Sequence, residues 1–153
     1  GYWNEKSYHL KNNENSAISY SMPLILPDGT VYGVVGVELL TSYLENLMPI
    51  DELKNDSQGS YVLSVETNAQ HNSLVVSSAS LKRNQLKKFY LTEDYDKNNF
   101  VFLNGKEYYA AIQNLDIYNS NGPFSKQQWQ LMSLVERNQL YSFANHFFTY
   151  KFQ

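Results

Sequence analysis

Residues 18–48 constrain the fold more than any other segment, because a strand, a turn, a second strand and a helix can be read from them in order. Ile18 to Leu26 is apolar and β-prone, and Pro27-Asp28-Gly29 follows it. Proline has a fixed φ, the aspartate side chain can bond to the backbone of its own turn, and glycine readily adopts φ > 0, so these three residues predict a tight turn. Val31 to Leu40 then predicts the returning strand, and the apolar spacing over 41–48 predicts an amphipathic helix. The segment therefore predicts an antiparallel hairpin that leads directly into a helix.

The returning strand carries two glycines, Gly33 and Gly36, at a spacing of three. A missing side chain in a strand permits a β-bulge or lets a neighbouring group approach the backbone closely. We expect one of these two features at each glycine.

The composition excludes several classes of function. Without cysteine, the chain has no disulfide, zinc-thiolate site or thiol nucleophile. The net charge of −3 leaves no basic stripe for nucleic acid and no polybasic patch for anionic lipid, so neither is expected as a partner. No run of about 18 apolar residues is present, so we expect a soluble piece cut from a longer protein, linked to a membrane only through flanking segments.

The remaining chain predicts a second set of hairpins. Asn104-Gly105 is the clearest signal, because this pair accepts the φ > 0 conformations of a type I′ turn. The other expectations are a mostly looped stretch at 1–17, strands at 61–66, 73–78, 100–103, 106–118 and 129–136, a short helix and loop over 79–98, and a helix over 138–148.

The first hairpin resembles one known family. Ile18 to Pro23 reads ISYSMP and Asp28 to Glu38 reads DGTVYGVVGVE, which is similar to the pattern ISxSxP followed by DGxxxGVVGVD of the extracellular Cache domain. Cache domains are PAS-like sensor modules of bacterial chemoreceptors, histidine kinases and diguanylate cyclases. The match is specific over about thirty residues, and only the order of elements supports it beyond residue 60.

This resemblance implies an α+β fold in which a PAS-like antiparallel sheet is flanked by helices and preceded by a β-hairpin and helix from a partial or second lobe. The predicted domains are residues 1–50, the C-terminal part of a distal Cache-like lobe, and residues 51–153, a membrane-proximal PAS-like lobe.

Catalytic and metal sites are not predicted. His9, His71 and His146 lack metal-ligand spacing, and neither a nucleophile elbow nor a phosphate loop occurs. Glu107 and Asp116 could face one another across the 100–118 hairpin, but scattered carboxylates are normally solvated surface groups. We therefore predict no catalytic residue, no metal and no cofactor.

In the distal lobe the resemblance implies a ligand site. Amino-acid-sensing Cache domains hold the ligand carboxylate with an Arg and an aromatic pair upstream of the hairpin, and its ammonium with an acidic residue on the last strand. Tyr2-Trp3 matches the aromatic pair and Glu38 has the acidic position, while the Arg is absent and Glu replaces Asp. Trp3, Tyr20 and Glu38 are the predicted ligand residues; the alternatives are packing for Trp3 and a helix-start charge for Glu38.

A second predicted site lies in the PAS-like lobe. Tyr61, Tyr109 and Trp129 are expected to converge in a concave space under the 100–118 hairpin. The alternative is that they are core aromatics whose hydroxyls are satisfied. Alternation along 106–116 predicts two covered faces, formed by Tyr108, Ala110 and Ile112 on one side and by Tyr109, Ala111 and Gln113 on the other.

The predicted function is that of a non-enzymatic, ligand-sensing, extracytoplasmic domain of a bacterial transmembrane receptor. An amino acid or another small metabolite is the expected ligand, and the C-terminal helix is expected to pass its effect toward the membrane. The alternative is a structural or dimerisation lobe that binds no small molecule and only spaces or dimerises its receptor. A homodimer is considered as a partner in either case. A small hydrolase is the third and weakest hypothesis.

Overall fold

The computed structural model describes residues 1–11, 15–49, 59–68, 71–77, 89–91, 100–103 and 106–141. The elements are β1 (Tyr2–Trp3), β2 (Tyr8–His9), β3 (Ser16–Ile25), β4 (Val31–Leu40), α1 (Thr41–Leu47), β5 (Ser60–Asn68), β6 (His71–Ser77), β7 (Phe89–Leu91), β8 (Phe100–Leu103), β9 (Lys106–Leu115) and β10 (Trp129–Glu136). The chain is helical again at 137–141.

The first sheet contains β1 to β4, with β3 at its centre. β4 pairs with one side of β3, and the two-residue strands β1 and β2 pair with the other side. The expectation of a loop over 1–17 is therefore wrong at Tyr2–Trp3 and Tyr8–His9. These pairs become strands because the long β3 offers an unpaired backbone edge, which a local sequence pattern does not show.

The turn of the first hairpin is confirmed. Gly29 has a φ of 87°, and the N–H of Leu26 donates to the carbonyl of Thr30 at 2.9 Å. The Asp28 carboxylate accepts a hydrogen bond from the N–H of Thr30 at 2.9 Å, and this bond lowers the Asp28 pKa. The ladder shifts between Leu24 and Ile25, so a bulge lies next to the turn.

The second sheet is a closed antiparallel barrel with the strand order β10-β5-β6-β7-β8-β9. The predicted antiparallel, sheet-rich architecture is thus confirmed. Residues 89–91 form a strand within the segment where a helix and loop were expected, and the rest of 79–98 lies outside the described residues. The Asn104-Gly105 turn and the continuation of the C-terminal helix past residue 141 also lie outside them.

The barrel interior is an apolar core that follows the two-residue alternation of its strands. Val62 of β5, Met132 and Leu134 of β10, and Tyr108 and Ala110 of β9 form one buried cluster. We call the surface on the opposite side of these strands the outer face.

The outer face packs against the first sheet through a second buried cluster, which we call the interlobe cluster. Its buried members are Ile18, Val65, Val75, Val76 and Trp129, and its partly buried members are Trp3, Leu39, Leu44, Met48, Leu63, Leu115 and Tyr118. The first sheet, α1 and the outer face of the barrel therefore share one core. The predicted domain division at residue 50 falls outside the described residues.

Candidate functional site

Trp3 and Tyr20 lie together on the barrel side of the first sheet. They are directly opposite across β1 and β3, and their ring centroids are 5.1 Å apart. Trp3 packs into the interlobe cluster, and its backbone N–H donates to the Tyr118 hydroxyl at 2.8 Å. Packing is thus the observed role of Trp3.

Glu38 lies on the other side of the same sheet. It is paired with Ser19, the neighbour of Tyr20 on β3, and successive strand residues point to opposite faces. Its carboxylate is exposed and accepts a hydrogen bond from the Tyr8 hydroxyl at 2.6 Å, which raises the pKa of Tyr8. The structure therefore does not bring Glu38 together with Trp3 and Tyr20.

Tyr61, Tyr109 and Trp129 all belong to the outer face of the barrel. Tyr61 is opposite Ser133 and Tyr109 is opposite Val135 on β10, so these two tyrosines lie in neighbouring rows. Trp129 precedes Val135 by six positions, a separation of about 20 Å along a strand. It is 3% exposed within the interlobe cluster, whereas Tyr109 is 41% exposed. The three do not converge.

The expectation that both faces of β9 are covered is also wrong on the outer face. Tyr109, Ala111 and Gln113 are exposed, while Tyr108 and Ala110 are buried inside the barrel. Among the described residues, the first sheet and α1 cover only the end of the barrel that contains Trp129 and Leu115. The alternation of side chains along β9 was predicted correctly, but whether the outer face of β9 is covered depends on how far the first sheet extends over the barrel.

The barrel interior holds a polar row that the predictions missed. Ser64 of β5, Gln130 of β10 and Asn114 of β9 are directly opposite one another across three neighbouring strands. Ser64 and Gln130 are buried, and the Gln130 amide nitrogen donates to the Asn114 side-chain oxygen at 3.2 Å. Ser64 and Gln130 lie inside because their positions alternate with the buried apolar ones, whereas Asn114, at the β9 end of the row, is exposed.

Apolar rows lie directly beside the polar row. The next row contains Val62, Met132 and Ile112, and two further serines, Ser60 and Ser77, are also buried on this face. We call the polar row, this apolar row and the two serines together the interior site. Small-molecule sites likewise combine apolar walls with a few hydroxyl and carboxamide groups. Alternation over β5 and β10 contained this signal, because their even positions combine Ser and Gln with Val and Met.

Charged groups lie at the end of the barrel farthest from Trp129 and Leu115. Lys106 pairs with Glu136 at 3.2 Å, and Arg137 donates to the Glu107 carboxylate and, at 3.2 Å, to the Tyr141 hydroxyl. Burial raises the pKa of Tyr108, and the nearby Glu136 charge raises it further, while Lys106 acts against both. These ion pairs tie β9 to the point where the chain becomes helical.

The carboxylate pair that a hydrolase would have needed is not formed, in agreement with the interpretation of these groups as surface carboxylates. Glu107 lies near the start of β9, and Asp116 follows the end of the same strand. Nine strand positions correspond to about 30 Å, too far for two carboxylates to act on one bond. Glu107 instead binds Arg137.

A group of contacts joins the first strand to the loop before β10. The Tyr118 hydroxyl accepts from Trp3, the Phe124 ring lies 4.7 Å from Tyr2, and the Gln127 amide donates to Glu5 at 2.5 Å. We call Tyr118, Phe124 and Gln127 the clasp. The clasp and the interlobe cluster hold the two sheets together at adjacent places.

The described part of the chain contains neither a candidate metal site nor a candidate membrane-spanning helix. Within it, no three His, Cys, Asp or Glu side chains lie close enough to hold a metal ion, and no helix has the length and apolarity to cross a bilayer. Comparisons with protein-family models, curated proteins and solved structures returned no match to this chain.

Proposed function

We propose that this chain is a Cache-like, non-enzymatic sensor domain that binds a small polar metabolite in the interior site. The observation that carries the proposal is the polar row, in which Ser64 and Gln130 are buried and Asn114 is exposed, beside an apolar wall on the inner face of the barrel. In this proposal the domain is extracytoplasmic and belongs to a bacterial transmembrane receptor.

The strand order supports the PAS-like part of the proposal. β5 and β10, the first and last strands of the barrel, are hydrogen-bonded neighbours, with β6 beyond β5 and with β9 and then β8 beyond β10. An antiparallel sheet that starts at β5 and ends at β10 agrees with the PAS-like antiparallel sheet that the resemblance implies for residues 51–153. The three-residue β7 joins β6 to β8 and closes the barrel.

The interior chemistry favours an uncharged ligand. The polar groups in the rows from Ser60 to Ser64 and from Gln130 to Leu134 are hydroxyls and a carboxamide, and the charged residues on the inner face of β5, β9 and β10, Glu66, Lys106 and Glu136, lie outside these rows. Burying an ion without an opposite charge is strongly unfavourable. A sugar, polyol or nucleoside therefore suits this site better than an amino acid does. The residues predicted to hold an amino acid, Trp3, Tyr20 and Glu38, lie on opposite sides of the first sheet.

The same strands offer a route from the ligand to the interlobe cluster. Ser64 and Gln130 face the interior, while their neighbours Val65 and Trp129 face the first sheet. A ligand that shifts β5 against β10 moves both faces at once. Binding can then favour one of two packings of the lobes, and the helix that begins at Arg137 passes this preference onward.

A thermal-shift screen with monosaccharides, polyols and nucleosides tests the proposal. A ligand present at a hundred times its dissociation constant adds about 2.7 kcal/mol of stability. Gln130→Met keeps the side-chain length but removes the amide, so it should abolish the shift. Gln113→Met on the outer face is the matched control and should retain the shift. A shift that survives Gln130→Met, or no shift with any compound, contradicts the proposal.

A structural lobe that only spaces or dimerises a receptor is the second candidate. The exposed apolar side chains of the first hairpin favour it, because Met22, Val34 and Val37 are 43%, 67% and 60% exposed. Self-association without any thermal shift in the screen would support this candidate.

A further inference from the structure

The outer edge of β4 is a long, unprotected sheet edge. β4 is ten residues long, and within the described residues it pairs only with β3. Its sequence, VYGVVGVELL, contains no Lys, Arg or Pro, the residues by which edge strands normally prevent pairing with another chain. In the part of the chain that the structure describes, no strand pairs with the backbone N–H and C=O groups of this edge, so a further strand can do so.

Both faces of β4 are apolar and exposed. Val35 and Val37 lie on the barrel side with exposures of 47% and 60%, and Val34 on the other side is 67% exposed. On the barrel side this surface continues from Leu39 and Ile18, which belong to the interlobe cluster. The exposed stripe is thus an extension of an existing apolar interface.

We propose that β4 of a second copy of this chain pairs antiparallel with β4 and joins the two first sheets into one. A two-fold axis at Val35 brings Val35 opposite its own counterpart. The barrel-side residues of the two copies then share one face, because directly opposite side chains lie on the same side of a sheet.

The charge and size of the β4 side chains select this register. Tyr32 comes opposite Glu38 of the partner subunit, where the hydroxyl can donate to the carboxylate. Gly33 and Gly36 come opposite Val37 and Val34 of the partner subunit, so each glycine faces a β-branched side chain. The two Glu38 carboxylates remain well apart, which avoids the repulsion of directly opposed like charges.

The symmetry also limits the assembly to a dimer. Antiparallel pairing places the tip of each hairpin beside the barrel-bearing end of the other copy. Each copy contributes the same edge, so pairing uses both β4 edges and leaves no equivalent edge for a third copy. This inference is independent of ligand binding in the interior site.

Complementary charges at Val35 test the dimer. Val35→Lys and Val35→Glu each place two like charges at the two-fold axis, and each should raise the dimer dissociation constant by about tenfold or more in sedimentation velocity. Because Val35 is exposed, circular dichroism of both variants should match that of the natural chain. An equimolar mixture should re-associate, since Lys then faces Glu.

Ile117→Lys is the control, because this side chain is 41% exposed and lies outside β4. It should leave the dimer intact. A natural chain that stays monomeric at all concentrations overturns the proposal. So does a dimer that Val35→Lys leaves unchanged, or a mixture of the two folded variants that remains monomeric.

Discussion

At the scale of single residues, Gly36 is held to glycine by its neighbour strand. A Cβ atom at this position would lie 2.9 Å from the backbone oxygen of Tyr20, whereas a Cβ at Gly33 would meet only Leu24 Cδ1 at 3.6 Å. The spacing of these glycines was visible in the sequence. Which of them is crowded depends on the paired backbone, and the sequence does not contain that information.

Gly36→Ala should therefore destabilise the protein by about 1 kcal/mol or more, because β3 must move away from the new methyl group. Gly33→Ala is the matched control and should have a smaller effect. Urea denaturation of both variants measures the difference. Equal free energies of unfolding would show that the crowding at Gly36 is relieved without cost.

Gly29→Val should destabilise by at least about 1 kcal/mol, because a β-branched residue is strained at a φ of 87°. There is open space around the site, so the loss would come from the backbone alone. Chemical denaturation checks it, and a neutral result would contradict the assigned role of the turn.

Tyr108 should make the protein sensitive to alkali. Burial raises its pKa, so the folded protein holds the proton while the unfolded chain releases it near pH 10. Stability is retained below about pH 10 and falls as the pH rises toward the folded pKa. Tyr108→Phe should reduce this fall, and Tyr32→Phe, at an exposed position, should not. Denaturation at several alkaline pH values measures the slope.

At the scale of elements, long strands with turn signals were predictable and short strands were not. β3, β4 and β10 follow from apolar runs and turns, while β1 and β2 exist only because β3 pairs with them. The candidate site was missed for a related reason. The ligand residues of the barrel were predicted from aromatic side chains, which lie on the outer face. The same two-residue alternation places Ser64 and Gln130 on the inner face.

The clasp supplies a test at this scale. Tyr118→Phe removes the acceptor of the Trp3 N–H, and a partly buried donor without a partner costs about 1–3 kcal/mol. Tyr43→Phe in α1 is the control, since this side chain is 55% exposed. Equal stability of the two variants in urea would mean that water replaces the lost acceptor.

At the scale of the whole molecule, the two sheets should behave as one cooperative unit. Trp3 and Trp129 are the two tryptophans of the chain, and both belong to the interlobe cluster. Tryptophan fluorescence therefore reports on the packing of the two sheets. Since β5 and β10 carry the interior site on one face and this cluster on the other, the proposed function requires that a ligand change both.

Titration of tryptophan fluorescence with the metabolite that raises the melting temperature tests this requirement most directly. We expect a saturable change in fluorescence whose midpoint matches that of the thermal shift, with no change in Gln130→Met and a retained change in Gln113→Met. Binding that leaves the fluorescence of both tryptophans unchanged, or a change that persists in Gln130→Met, would contradict it.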